Sequence, residues 1–138
     1  MIFLILIPLV VSFHLVPDNN REPDKLVEFI SDNINNQSII LICPPFYDIT
    51  FLYHYDIEKF KDYKMFDENK HQSKIQSIYK FEEISRLSEN NRVIYVDANS
   101  SFLGLGTDII DNLNNSFLLI SNTEFKGGFK ISIFDKKR

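Results

Sequence analysis

Residues 38–43 read Ser-Ile-Ile-Leu-Ile-Cys, five apolar side chains behind one serine, and Pro44-Pro45 stops the run. A strand with one wet face alternates polar and apolar residues. This one does not alternate, so it suits a central parallel strand covered on both faces. Working outward, Glu22-Pro23-Asp24 places a proline at a first helical position and acids in the first turn, where the helix dipole favours them. Leu26, Val27, Ile30 and Ile34 then recur at helical spacing, with Phe29 beside them. Downstream, Asp48–Tyr55 is expected as a short helix, and the Lys-, Asp- and Asn-rich remainder up to Lys74 as surface loop. Ile75–Tyr79 fits a short strand, and Phe81, Ile84 and Leu87 a helix ending near Asn90-Asn91. Arg92–Asp97, with Val-Ile-Tyr-Val at its centre, repeats the buried-strand pattern. Thr107 is placed to cap a helix that buries Ile109, Ile110 and Leu113, and Phe-Leu-Leu-Ile at 117–120 gives a third strand. Gly127-Gly128 separates Thr123–Lys126 from the alternating Phe129, Ile131 and Ile133, which is a strong hairpin signal. The pattern predicts a small three-layer α/β sandwich over residues 23–138, its sheet mostly parallel and finished by a C-terminal antiparallel hairpin.

The chain has 138 residues, enough for one domain, with 44% hydrophobic and 25% charged residues and 13 Phe. Those values exclude disorder and supply a sizeable aromatic core. A net charge of −4 argues against a nucleic-acid partner held by phosphate neutralisation. A lone cysteine, Cys43, forbids an internal disulfide and a Cys-based zinc site. Residues 1–16 carry no acidic or basic side chain except His14, and as a helix would run about 24 Å against a bilayer core of about 30 Å. No Lys or Arg precedes the run and no small-x-small site follows it, so a membrane helix is expected there rather than a signal peptide or a buried helix. Residues 17–22 form the linker. Arg21 and Lys25 slightly favour an inward-facing flank, but they are mixed with Asp18, Glu22 and Asp24.

Chemistry is sparse. The turn after the first buried strand is Cys43-Pro44-Pro45-Phe46, whose prolines remove the backbone N–H groups a phosphate loop would use. Gly104-Leu105-Gly106 lacks a third glycine and does not directly follow a strand. His14, His54 and His71 are scattered, and Cys43 has no neighbouring base in sequence. No catalytic residue, cofactor site or metal-ligand set is expected. Ligand crevices of α/β folds lie beyond the carboxyl ends of the strands. The candidate crevice therefore comprises Tyr47, Asp48, Asp97 and Asn99, with Tyr53 and His54 at its edge.

The order of these features carries a resemblance. An apolar segment leads through a polar linker to a helix and a strand ending in Pro44-Pro45. Thr50-Phe51 and Tyr53-His54-Tyr55-Asp56 follow before Phe60, and then the strand Arg92–Asp97. This order resembles the C-terminal extracytoplasmic portion of bacterial membrane glycosyltransferases that use polyprenyl-phosphate sugars, related to protein mannosyltransferases and to the aminoarabinose transferases of lipid A. The resemblance implies a non-catalytic domain on the extracytoplasmic side of the bacterial inner membrane. It would be a fragment, whose partners are the membrane and the remainder of the enzyme's membrane domain if that is encoded separately. The catalytic acid of such enzymes lies in an earlier loop, so no catalytic residue carries over. The alternative is a free-standing membrane-anchored α/β binding or interaction module.

Overall fold

The computed structural model describes residues 22–137. The membrane helix expected at 1–16 and all of the 17–22 linker but Glu22 lie outside the described residues. Among the described residues no helix is long and apolar enough to cross a membrane.

The elements in chain order are α1 (Pro23–Asn33), β1 (Ser38–Cys43), α2 (Asp48–Tyr55), α3 (Ile57–Phe60), α4 (Phe66–Gln72), β2 (Ile75–Ser77), β3 (Arg92–Ala98), α5 (Thr107–Ser116), β4 (Phe117–Phe125) and β5 (Phe129–Lys136). The strands form one five-stranded sheet in the order β2-β1-β3-β5-β4. β1 is parallel to both of its neighbours, and all six of its residues are buried, as its uninterrupted apolar run requires. Successive side chains of a strand point to opposite faces, and two cores follow from that alternation. Ile40 and Ile42 join Ile94, Val96, Ile131 and Ile133 under the helices that supply Leu26, Ile30, Phe51 and Leu52. Ile39, Leu41 and Cys43 join Val93, Tyr95 and Phe134 under α5, which supplies Ile109 and Leu113. The layers are therefore helix, sheet, helix.

The sheet is mixed, not mostly parallel: the β3–β5 and β5–β4 ladders are both antiparallel. Residues 117–120 begin a nine-residue strand that runs on into the hairpin. The second hairpin strand, β5, is apolar on both faces through Phe129, Ile131 and Ile133 on one side and Phe134 on the other. It therefore takes the dry slot beside β3 and displaces β4 to the edge, where Leu118, Leu119 and Ile120 are exposed.

Three local expectations also change. Residues 57–72 form short helices instead of surface loop, because Phe60 and Phe66 are buried and pack ring edge to ring face at 5.8 Å. Asp56 caps the first of these helices, accepting from the Lys59 N–H at 3.0 Å. Phe81 and Leu87 each open a 3-10 turn, Phe81–Glu83 and Leu87–Glu89, and extended Ile84 and Arg86 at φ 60° separate the two. A strict spacing of three is the period of that tighter helix. Gly106, not Thr107, occupies the cap position of α5, at φ 88°. A Cβ there would collide with Ser100 Oγ and come within 2.9 Å of the Tyr95 hydroxyl.

Arg92 fastens the amino end of the sheet. Its guanidinium donates to Asp135 at 2.6 and 2.8 Å and to the Asn33 carbonyl at 3.0 Å, joining β3, β5 and the end of α1. These bonds hold the Asp135 carboxyl below its ordinary 3.8. A depressed folded-state pKa contributes stability that is present above the unfolded value and is lost as pH falls through the folded one. Asp135→Asn should therefore cost about 1 kcal/mol at neutral pH, since the pair is partly exposed, and the deficit should vanish in acid below the ordinary carboxylate range. A denaturant-melt deficit that persists unchanged there would show that the ion pair is not its source.

At the opposite end the hairpin turns through Gly127 (φ 90°) and Gly128 (φ 83°). A Cβ on Gly128 would run into the Asn99 side chain. Gly128→Val should lower unfolding free energy by more than about 1 kcal/mol in a denaturant melt, from backbone strain and this clash together. A neutral result would mean that the turn does not need its positive φ.

Candidate functional site

β1 and β3 lie side by side and parallel, but the segments leaving them go to opposite faces of the sheet. β1 feeds α2, which packs in the core with α1. β3 feeds the 3-10 turn Ser100–Leu103 and then α5, which packs on the other face. Where two adjacent connections part in this way, a crevice opens beyond the strand ends. It is present as a cleft of ≈ 630 Å³, walled on one side by Phe46 and Tyr47 and on the other by Ala98, Asn99, Ser101, Phe102 and Leu103.

Of the six residues expected in the crevice, Tyr47 and Asn99 line it. The Tyr47 ring is wedged between Phe46, at 4.9 Å, and Phe129, edge-on at 5.9 Å. Asn99 sits at φ 61°, a left-handed conformation that asparagine tolerates, and its amide donates to the Gly127 carbonyl at 3.3 Å. Asp97 serves the turn itself, its carboxylate accepting the Ser100 N–H at 2.7 Å.

Asp48, Tyr53 and His54 do not line the cleft. Asp48 is buried and accepts from Lys70 Nζ at 2.7 Å and from the Ser77 hydroxyl at 2.8 Å, while Lys70 also donates to that hydroxyl at 2.8 Å. This closed triangle ties α4 and β2 to the start of α2. His54 Nδ1 lies 3.4 Å from Asp24 on α1, and the Tyr53 ring is exposed and edge-on to His54 at 5.9 Å.

Cys43 ends β1 with no exposed surface, beside the buried Tyr95. Burial pushes its thiol up to about 11. A thiol held protonated in this way is a small hydrophobe, not a nucleophile. Among the described residues no cluster of three or more His, Cys, Asp or Glu could hold a metal ion.

A second depression, of ≈ 360 Å³, lies at the amino end of the sheet around Asn35, Asn91, Arg92 and Asp135. Its charged groups are occupied: Arg92 with Asp135, Lys136 with the Ser88 carbonyl and Lys137 with that of Asn114.

Sequence reasoning missed Phe46, Phe102 and Leu103 as site residues. The available signal was large apolar side chains in turn-forming company, after Pro44-Pro45 and between Ser101 and Gly104, where no core strand or helix could use them.

Comparisons with protein-family models, with curated proteins and with solved structures return no match. The likeness to the membrane glycosyltransferases therefore rests on the order of sequence features alone.

The Asp48 triangle makes a separable stability prediction. Asp48→Ala leaves the largely buried Lys70 ammonium without its counter-charge and should cost about 2 kcal/mol. Adding Lys70→Met should recover part of that loss, because the stranded charge is then gone. Strictly additive losses in a urea double-mutant cycle would mean that the two groups are not coupled.

Proposed function

We propose that this chain is a membrane-anchored, non-catalytic α/β domain that binds a ligand or partner in the cleft beyond β1 and β3. In its fuller form it belongs to a polyprenyl-phosphate-sugar-dependent glycosyltransferase system, on the extracytoplasmic side of a bacterial inner membrane. One observation carries the binding role. The carboxylates nearest the cleft are engaged in fold-supporting bonds, Asp48 with Lys70 and Ser77 and Asp97 with the Ser100 N–H, while the cleft walls offer rings, an amide and a hydroxyl. Such walls suit stacking and hydrogen bonding. General acid–base work needs a titratable group within reach of the reacting atoms. The charge-free run at residues 1–16 supports the anchor.

The alternative, a free-standing anchored binding module, is favoured by one feature: both cleft walls come from this domain. Co-purification with a polytopic membrane protein distinguishes the two.

Expressed intact, the protein should sediment with membranes and be released by detergent, whereas a chain beginning near Asn20 should stay in the supernatant. Recovery of the intact, uncleaved chain without detergent would overturn the anchor. The purified chain, given a polyprenyl-phosphate sugar and a lipid or peptide acceptor, should show no transfer above the blank. Turnover abolished by Asp97→Asn would make it an enzyme in its own right.

A further inference from the structure

We propose that the carboxyl end of the sheet faces the bilayer, with the aromatic rim of the cleft seated in the lipid headgroup layer. This inference rests on the membrane-anchored reading and adds to it an orientation and a lipid contact.

The direction of α1 fixes where the chain enters the domain. The carbonyl of Asn33, at the end of α1, accepts from Arg92, the first residue of β3. The first turn of α1 therefore lies at the other end, where Asp24 stands 3.4 Å from His54. Phe29 packs on Phe125 beside the hairpin turn, at 5.6 Å. Residues before Glu22 thus join the domain at the end that carries the cleft. Only residues 17–22 separate the apolar run from α1, a reach of at most about 20 Å when fully extended. An anchor in that run would therefore keep the cleft end, rather than the Arg92 end, near the bilayer.

That end also carries an uncovered apolar rim. Phe102 is 90% exposed and Phe46 56% exposed, on opposite walls of the cleft, with Leu103 beside Phe102. Ile49, exposed on the first turn of α2, extends the Phe46 side by one helical step. Exposed rings and aliphatic side chains beside a tether gain by entering the interface between headgroups and acyl chains. Of the carboxylates flanking the cleft, Asp48 is paired with Lys70 and Asp97 is turned to the Ser100 N–H. A rim and a tether on the same end need no partner protein to bring them to lipid.

The test uses the full chain in vesicles of phosphatidylcholine and phosphatidylglycerol that contain headgroup-level spin-labelled lipid. Cys43 is fully buried, so Phe102→Cys and Asn36→Cys, both at exposed positions, each accept one environment-sensitive fluorophore. Leu103→Cys provides an independent second reporter at the rim. Lipid-borne quenching at positions 102 and 103 should exceed that at 36, which precedes β1 at the far end, by at least about fivefold. Equal quenching at all three positions in a chain that still floats with vesicles would overturn the lipid contact and leave the anchor standing. Failure to float would overturn both. Protection of position 102 from aqueous iodide without lipid-borne quenching would place a second copy on the rim and likewise overturn the proposal.

Discussion

The parallel ladder between β1 and β3, from Ser38 opposite Arg92 to Cys43 opposite Asp97, is the constraint on which the remaining structure depends. Two adjacent strands without water on either face need cover on both sides, so the chain between and after them must supply helices above and below. Alternation along β1 assigns Ile40 and Ile42 to one core and Ile39 and Leu41 to the other. Cover on both sides also makes the segments leaving β1 and β3 diverge, and that divergence opens the cleft. The cleft is thus a by-product of burying two strands completely.

Elements whose local pattern admits one explanation were legible from sequence. Pro23 with Leu26 and Ile30 could only open an amphipathic helix, and residues 38–43 could only be a doubly covered strand. The order of the last two strands was not legible. Residues 117–120 and 129–134 are both apolar enough for an interior position, and the outcome turns on Phe129, Ile131 and Ile133 facing one core while Phe134 faces the other. Phe60 and Phe66 anchor their helices singly, without the repeat that would mark an amphipathic face. The strand-end rule located Tyr47 and Asn99 on the cleft. It could not foresee that Asp48 would be claimed by Lys70, because a contact across 22 positions leaves no local trace. The turn-borne phenylalanines were overlooked for the opposite reason: large apolar side chains are ordinarily assigned to a core.

Polar groups at the carboxyl end are mostly occupied in holding connections together. Asp97 shapes the turn that lifts Phe102 into solvent, and the Asp48 triangle holds α4 and β2 against the start of α2. Tyr47 bridges the two roles, since its ring packs edge-on against Phe129 of the sheet while it lines the cleft. A domain that commits its carboxylates to scaffolding keeps a rigid rim and presents rings and amides instead of charge.

Asn99 and Gly128 stand 29 positions apart, and each occupies space the other would need. Asn99 reaches over the hairpin tip to the Gly127 carbonyl, and the bare Cα of Gly128 leaves room for it to do so. For divergent descendants of this sequence the pair behaves as a single inherited character. A side chain gained at 128 is admissible once 99 has become smaller or its loop has been rebuilt. The cleft wall and the hairpin tip should therefore change in step along a lineage, with covariation marking the contact where conservation at either position alone would not.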